Sequence, residues 1–454
     1  MHTAIFDLGK TNKKCFLFDG DFREVFREYT RFDEIADEDG FPADDLERIH
    51  GWLRELFDRM LRTEKFDVQR INFSTYGATL VHLDARGEPL TPLYNYLKPY
   101  PASLIDRFTE QYGDVARATG SPEAGFLNSG LHLYWLKHRR PEVWKRVRWS
   151  LHFPQYLSYL FTGVPVSDYT STGCHTSLWD YEKRDYHAWV YAEGIDQKLP
   201  PLVTADTSIN VNYDGRKLGI GVGIHDSSSA LLPYLRADRK PFLLISTGTW
   251  SIALNPFASQ PLTDEDMAHG TLQYLRLDGL PVRATRLFLG NEFSKQTAAI
   301  AAHFGLERDA VVQLPFDPDA YATTTPHAQF RMLGLPERPD EPLRTELHTF
   351  RSASEAYHQL MRELTAYQIG AARRAMGGTR VRKIYIDGGF ADNPVFTRLL
   401  AGAFPEQKIR TTQTPLGSAL GAAAAVGDAS IGKKFLKRNY RMRKVTANDE
   451  RAAS

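Results

Sequence analysis

A polar turn near the start of the sequence carries side chains suited to holding phosphate groups. It follows the apolar run that ends at Asp7, and it combines a flexible glycine with hydroxyl, amide and ammonium groups: Gly9, Lys10, Thr11, Asn12, Lys13 and Lys14. Successive backbone amides in such a turn can cradle phosphate oxygens, and a carboxylate at the end of a strand is placed to hold a hydrated Mg²⁺. The alternative is a plain hairpin turn with surface lysines.

The same turn lacks the pattern of a Walker-type phosphate loop. No earlier glycine stands at the G-x-x-x-x-G spacing before Gly9, and the segment leads to a strand-like run at 15–18 rather than to a helix. The residues therefore disfavour a nucleoside triphosphatase of that class.

A second turn with similar residue types lies near the middle of the sequence. Residues 246–251 (STGTWS) place Gly248 and Thr249 between two strand-like runs. A flexible glycine flanked by hydroxyls can approach a phosphate closely. Taken alone, the segment also fits an ordinary turn.

A third polar segment, 387–394 (DGGFADNP), follows another apolar run. Gly388 and Gly389 would let a flat ring lie against bare backbone. Asn393 precedes a proline, and this pair fits the N-cap and first position of a helix. Helix capping is therefore sufficient to explain Asn393.

A carboxylate in a glycine- and serine-rich segment is the candidate general base. Asp226 follows a strand-like run and precedes Ser227, Ser228 and Ser229, whose hydroxyls could open a helix. A carboxylate at such a strand end can face a cleft and accept a proton from a substrate hydroxyl. The alternative is that Asp226 only caps the helix.

The hydrophobic pattern predicts the same order of elements twice. Strand-like runs flank the first turn, a helix covers 46–61, and a short strand at 71–73 leads to a polar segment. In the second half, strands flank the second turn, a helix covers 353–376, and a strand at 383–387 opens into glycines. The repeat predicts two copies of one fold whose matching turns face each other.

A further helix is predicted over 416–426, opened by Pro415. It is rich in alanine and glycine, so it permits close approach by a neighbouring helix or by a nucleotide.

Length and composition describe an ordinary globular protein. With 454 residues the chain exceeds a single core, so two domains are expected. Lys plus Arg (56) nearly balances Asp plus Glu (55), which argues against nucleic-acid binding. Two cysteines and no apolar stretch of membrane-spanning length favour a cytoplasmic protein without a membrane anchor.

These segments together resemble the FGGY family of carbohydrate kinases, of the actin, hexokinase and heat-shock chaperone superfamily. The first turn is similar to the family's D-x-G-T-[TS]-x-x-[RK] loop, although Lys10 stands where many members have Thr. Residues 221–226 are similar to its G-x-x-D segment, and 246–251 to its second phosphate loop. Residues 388–393 are similar to its adenosine-binding G-G-x-x-x-N.

The resemblance implies an α/β fold of two ribonuclease H-like domains around a central cleft, with ATP and Mg²⁺ as cofactors. It implies Asp226 as the catalytic base and Asp7 with Asp226 as the metal ligands. Its implied ATP-binding residues are Gly9, Lys10, Thr11, Asn12, Lys14, Gly248, Thr249, Gly388, Gly389 and Asn393. Its implied sugar-binding residues are Tyr76, Gly77, His225 and Ser227.

Within the family, the Trp250 loop and the His225-Asp226-Ser227 triplet resemble the kinases of L-rhamnulose and L-fuculose. Phosphorylation of such a ketose at a primary hydroxyl is therefore the leading hypothesis. A pentulose kinase acting on L-ribulose or D-xylulose is the second. A non-enzymatic ATP-binding protein of the chaperone or actin type, and a catalytically dead sugar sensor, are the alternatives from other classes.

The predicted organisation has three parts. An N-terminal domain with a sugar-binding insertion at about 100–200 covers 1–228, a nucleotide-binding domain covers 229–430, and a basic tail covers 431–454. Seven of the twelve residues 433–444 are Lys or Arg, which fits a solvated basic segment. The expected partner is a small sugar, without nucleic acid or membrane, and a homodimer is compatible with the sequence.

Overall fold

The computed structural model describes residues 1–63, 65–412, 416–427 and 431–446. These residues form two compact units that interleave along the chain. The first comprises Met1–Ala237, Ser259–Val282 and the described part of Leu416–Gly432. The second comprises Asp238–Ala258 and the described parts of Arg283–Pro415 and Lys433–Ser454.

In the first 237 residues, the strands that lie outside one large sheet are short. The strands are β1 (His2–Leu8), β2 (Lys13–Asp19), β3 (Glu24–Thr30), β4 (Ile35–Ala36), β5 (Pro42–Asp44), β6 (Val68–Thr75), β7 (Leu80–Leu83), β8 (Leu93–Tyr94), β9 (Trp149–His152), β10 (Ser167–Asp168), β11 (Trp179–Asp180), β12 (Asp185–Tyr186), β13 (Leu202–Val203), β14 (Ser208–Tyr213), β15 (Arg216–Gly221) and β16 (Ile224–His225). The α-helices are α1 (Leu46–Arg62), α2 (Ala102–Tyr112), α3 (Ala116–Thr119), α4 (Ser129–Arg139), α5 (Pro141–Arg146), α6 (Phe153–Thr162), α7 (Tyr169–Thr172), α8 (Ala188–Ala192) and α9 (Asp226–Ala237).

The remaining described residues add longer helices. The strands are β17 (Phe242–Thr247), β18 (Ser251–Asn255), β19 (Thr271–Leu275), β20 (Pro281–Leu287), β21 (Lys383–Gly388), β22 (Lys408–Thr411) and β23 (Arg443–Val445). The α-helices are α10 (Asp264–Ala268), α11 (Leu289–Phe304), α12 (Arg308–Val312), α13 (Pro318–Ala322), α14 (Ala353–Met376), α15 (Pro394–Ala403), α16 (Gly417–Val426) and α17 (Lys433–Asn439).

Both units are built on a sheet with the same strand order. In the first unit the order β3-β2-β1-β6-β15 begins with antiparallel neighbours and continues with parallel ones. In the second unit β20-β18-β17-β21-β22 repeats this pattern, with β20 taking part from Arg283 onward. The prediction of two copies of one α/β fold is therefore confirmed.

Amphipathic helices cover these sheets. Helix α1 begins at its N-cap Asp45 and directs Ile49, Leu53 and Phe57 into the core of the first unit. Helix α14 begins at its N-cap Ser352 and packs its apolar face into the core of the second unit, with strands β17 and β21. The insertion between β8 and β13 has its own buried core around Trp135. No helix in the described ranges is long and apolar enough to cross a membrane.

Two parts of the chain lie in other surroundings than the sequence predicts. Helix α16 belongs to the first unit, because its small residues allow close packing on α9: a Cβ at Gly421 would lie 1.8 Å from the Ser229 carbonyl oxygen. Pro415, predicted to open this helix, lies outside the described residues. Residues of the predicted basic tail form α17 and β23, and β23 pairs with β22 in the second sheet.

Candidate functional site

The first turn is held in shape by a buried lysine. The Gly9 amide donates to the Asn12 carbonyl at 2.9 Å, which closes the hairpin between β1 and β2. The Lys13 ammonium folds back and donates to the carbonyls of Lys10 (2.9 Å) and Gly9 (3.3 Å). Within the described chain, the amides of Lys10 and Thr11 have no protein acceptor. They are therefore available to an anion.

Lys10, predicted to contact phosphates, has its ammonium already paired. It lies 2.9 Å from Asp44 Oδ2 and 2.6 Å from Glu34 Oε1. Burial lowers the pKa of Lys10, but the two carboxylates outweigh burial and raise it overall. The Asn12 side-chain oxygen accepts from Arg31 Nε at 2.6 Å. Phosphate contacts by Lys10 and Asn12 stay predictions.

Asp7 is a buried carboxylate at the end of β1. Ser418 of α16 donates to its Oδ2 at 3.0 Å. Burial raises the pKa of Asp7, the charge of nearby Lys14 lowers it, and the charge of Asp226 raises it further. Lys14 and Asp226 therefore both lie within electrostatic reach of Asp7 in the first unit.

Asp226 stands where β16 runs into helix α9. Strand β16 pairs in parallel with β6, which places His225 opposite Thr75. The Asp226 side chain is 36% exposed. Its Oδ1 accepts from Ser227 Oγ at 3.1 Å and lies 3.2 Å from His225 Nε2. Both contacts fall on one oxygen and leave the other carboxylate oxygen outside them.

His225 is buried beside this carboxylate. Its amide donates to Thr170 Oγ1 at 3.0 Å, and its ring lies 3.2 Å (Nε2) from Cys174 Sγ and 3.4 Å (Nδ1) from Ser228 Oγ. Burial lowers the pKa of His225, although Asp226 and Asp168 act in the opposite direction. The imidazole is therefore neutral at neutral pH.

Gly77 lies directly against His225. A Cβ at Gly77 would approach His225 Cδ2 and Cys174 Sγ to 3.1 Å, so a side chain here would press on the ring. Tyr76 is buried, and its hydroxyl donates to Asp44 Oδ2 at 2.7 Å. The first unit thus gathers Gly77, His225, Asp226 and Ser227, whereas the Tyr76 hydroxyl points to Asp44.

The second turn is clamped to the start of helix α11. The amides of Gly290 and Asn291 both donate to the Thr249 carbonyl at 3.1 Å. A Cβ at Gly290 would lie 1.9 Å from the Gly248 carbonyl oxygen, so only glycine permits this contact. Gly248 and Thr249 themselves are exposed.

The third segment is tied to the second turn within the same unit. Thr247 Oγ1 donates to the Asp387 carbonyl at 2.6 Å and accepts from the Phe390 amide at 3.0 Å. Gly388 has a φ of +84°, and a Cβ there would lie 1.8 Å from the Thr247 carbonyl oxygen. A Cβ at Gly389 would meet open space.

Asn393 caps helix α15, as its sequence context predicts. Its Oδ1 accepts from the Phe396 amide at 3.0 Å, and its Nδ2 donates to the Tyr357 hydroxyl at 2.8 Å. Both ends of the amide are therefore engaged in the protein. A contact from Asn393 to a nucleotide stays a prediction.

Sequence reasoning missed Asp44 and Ser418. Asp44 precedes Asp45, the N-cap of α1, so the acidic pair resembles a simple helix start. Ser418 lies 411 positions from Asp7, and no local pattern connects them. The small residues of α16 were the one available signal of a close approach. Among the described residues, no group of three or more His, Cys, Asp or Glu side chains could hold a metal.

Family models match nearly the whole chain. Residues 2–226 match the N-terminal domain of the FGGY family of carbohydrate kinases, and 239–434 match the C-terminal domain of the carbohydrate kinase FGGY.

Similar proteins include an L-fuculokinase of Salmonella typhi, 26% identical over 41% of this chain and 41% of the relative. A rhamnulokinase of Klebsiella pneumoniae (strain 342) is 24% identical over 61% of this chain and 60% of the relative. The matching regions thus span from two fifths to three fifths of these relatives. A crystal structure of a carbohydrate kinase from Novosphingobium aromaticivorans shares the fold, with a TM-score of 0.76 and 22% identity over 96% of this chain and 99% of that one. With both domains matched in order and the fold shared, the chain belongs to the FGGY family of carbohydrate kinases.

Proposed function

We propose that this protein transfers the γ-phosphoryl group of ATP to a primary hydroxyl of a small sugar, with Asp226 as general base. The observation that carries the proposal is the Asp226 carboxylate, partly exposed and held through one oxygen by Ser227 beside neutral His225. The opposite oxygen would accept the hydroxyl proton as the sugar oxygen attacks. Such help is worth about 10²–10⁴-fold in rate.

The pair Asp7 and Asp226 fits a Mg²⁺ ion bound together with ATP. The charge of Asp226 raises the pKa of Asp7, and Asp7 is buried, so a nearby cation would relieve an unfavourable charge. Mg²⁺ usually uses one or two carboxylates, together with water and phosphate oxygens. The bound ion would neutralise charge that develops on the phosphates.

In the first unit, the free amides of the first turn are the proposed donors to phosphate oxygens of ATP. In the second unit, Thr249 and the Gly388–Gly389 backbone are the proposed ligands of ATP. Open space at Gly389 supports close approach by a ligand. Lys14 remains the cation of the first turn that lies near Asp7.

L-Fuculose and L-rhamnulose are the proposed acceptors. The His225-Asp226-Ser227 triplet and the names of two similar proteins support them. The close approach of Gly77 to the His225 ring, which leaves little space for a side chain, supports a role for both in bounding the acceptor site. L-Ribulose and D-xylulose are the second candidates.

Asp226→Asn tests the proposal in a phosphorylation screen over these four sugars. We expect turnover of the best sugar to fall at least about 10²-fold, because the amide cannot accept the proton. ADP affinity, measured by calorimetry without Mg²⁺, should stay within about threefold, because Asp226 is not proposed to contact the nucleotide itself. The control is Asp114→Asn, which removes a helix-start carboxylate that accepts from Ala116 (2.8 Å) elsewhere in the first unit.

Retained sugar turnover in Asp226→Asn would dismiss the base assignment. ATP consumption by the parent protein that no sugar accelerates would instead favour a non-enzymatic ATP-binding protein of the same superfamily.

A further inference from the structure

One buried carboxylate, Asp44, connects two segments that the sequence treats separately. Asp44 ends the short strand β5, and its side chain is 6% exposed. Its Oδ1 accepts from Lys13 Nζ at 2.9 Å, and its Oδ2 accepts from Lys10 Nζ at 2.9 Å and from the Tyr76 hydroxyl at 2.7 Å. Three donors from two distant parts of the chain therefore share a single carboxylate.

On the turn side, the contacts fix which groups of the first turn face outward. Lys13, whose side chain is 1% exposed, spends its three ammonium protons on Asp44 and on the carbonyls of Gly9 and Lys10. Carbonyls directed at Lys13 leave the adjacent amides free to meet an anion. Because Lys10 is paired with Asp44 and Glu34, it is drawn away from that role.

On the acceptor side, the hydrogen bond from its hydroxyl to Asp44 fixes the position of Tyr76, the residue before Gly77. The Tyr76 ring is buried between Tyr96 (centroids 5.8 Å apart) and Phe153 (5.5 Å). Its hydroxyl is a polar end in this apolar setting, and Asp44 satisfies it. Gly77 lies against the His225 ring, and Nε2 of that ring is 3.2 Å from Asp226 Oδ1.

We propose that Asp44 is a positioning residue that connects the phosphate-binding turn to the acceptor-binding segment. The hydrogen bond from the Tyr76 hydroxyl to Asp44 then affects nucleotide binding. The inference rests on the proposed function in that the first turn holds the phosphates. Charge-assisted hydrogen bonds to one buried carboxylate are strong and interdependent, because each donor limits the geometry left to the others.

The test measures MgADP affinity by calorimetry without sugar. Tyr76→Phe removes one donor to Asp44 and keeps the ring, and we expect it to weaken MgADP binding about three- to tenfold. The matched control is Tyr213→Phe, which removes a tyrosine–aspartate hydrogen bond of similar length (Tyr213 to Asp58, 2.8 Å) in the same unit. It should leave MgADP affinity within twofold of the parent.

Lys10→Met and the double variant Lys10→Met/Tyr76→Phe complete a double-mutant cycle. Since both donors share Oδ2, the effect of Tyr76→Phe should shrink in the Lys10→Met background. These variants leave the Lys13–Asp44 pair in place, so they avoid the buried unpaired ammonium that Asp44→Asn would create. Thermal unfolding confirms that each variant is folded.

Equal MgADP affinities for Tyr76→Phe and Tyr213→Phe would overturn the inference, as would strictly additive effects in the cycle. Because the assay involves no turnover, a protein that shows the coupling but phosphorylates no sugar would contradict the proposed function alone. Absence of MgADP binding by the parent would overturn both.

Discussion

At Asp7 the requirements of folding and of the proposed chemistry oppose each other. Burial raises the pKa of Asp7 in the folded protein, so its contribution to stability is present at low pH and is lost as pH rises through that raised pKa. Asp7→Asn cannot ionise, and we expect it to gain about 1 kcal/mol of unfolding free energy at pH 7 while sugar phosphorylation falls. Urea unfolding at pH 7 and pH 4 should show the gain only at the higher pH.

An equal gain at both pH values would mean that the charge of Asp7 has no part in the effect. Asp58→Asn is the control, since it changes a carboxylate of the same unit that lies on helix α1 and accepts from Tyr213.

The residues that sequence could identify are those whose neighbours in space are also neighbours in sequence. His225, Asp226 and Ser227 are consecutive, so their mutual contacts follow from the strand-to-helix junction itself. Asp44 is different, because its proposed role depends on contacts with Lys10 and Tyr76, each more than 30 positions away in the sequence. Lys10 illustrates the consequence: its position in the turn predicts a phosphate ligand, whereas its contacts pair it with carboxylates.

At the scale of elements, two adjacent glycines at the end of β21 differ in the space available for a side chain. Gly388→Ala would place a Cβ 1.8 Å from the Thr247 carbonyl at a positive φ, so we expect a loss of about 3 kcal/mol or more of unfolding free energy. Gly389→Ala meets open space and should leave thermal unfolding unchanged. If the nucleotide contacts this backbone, Gly389→Ala should still weaken MgADP binding about tenfold, measured by calorimetry.

Unchanged MgADP affinity in folded Gly389→Ala would remove Gly389 from the proposed site. Gly402→Ala is the matched control, because Gly402 lies within α15, where an added Cβ also meets open space.

Elements with a strong period were predictable, and their partners were not. The helix predicted over 353–376 is α14 at those bounds, and the strand predicted over 383–387 is β21 with one more residue. Helix α16 was predicted in type and nearly in length. Its place in the first unit was not, because close packing of small residues on α9 depends on a surface that forms only after folding.

At the scale of the whole molecule, both units have the same strand order because the same local sequence features occur in each. Each unit needs a hairpin with a polar turn and a parallel strand beside it, and the sequence shows both features twice. Interleaving of the units along the chain could not be anticipated in the same way. Short local patterns report elements, whereas membership of a unit is decided by contacts hundreds of residues apart, such as Asn72 with the Ala422 carbonyl (2.9 Å).

The first unit should also be the acid-sensitive one. Burial lowers the pKa of His82 and of His152 to about 3, and the pKa of His132 well below its usual value. A histidine of depressed pKa binds its proton only after unfolding, so stability is lost as pH falls from about 6.5 toward the folded pKa, at about 1.4 kcal/mol per pH unit for each such group. Hydrogen exchange at pH 5 should therefore accelerate in β7, β9 and α4 before it does in β17 and β21.

His82→Asn isolates the cause. His82 contacts Ser150 Oγ at 2.9 Å and His132 Nε2 at 3.3 Å in a buried setting, so its replacement removes one proton-binding group from the transition. We expect unfolding free energy to fall less steeply between pH 6.5 and pH 4.5, as measured by urea unfolding. The change in slope should correspond to at most one fewer proton bound on unfolding. His348→Asn, at a side chain that is 70% exposed in the second unit, should leave the slope unchanged. The raised pKa values of Asp7 and Asp168 act in the opposite direction in every variant alike, so an unaltered slope in His82→Asn would refute the assignment to buried histidine.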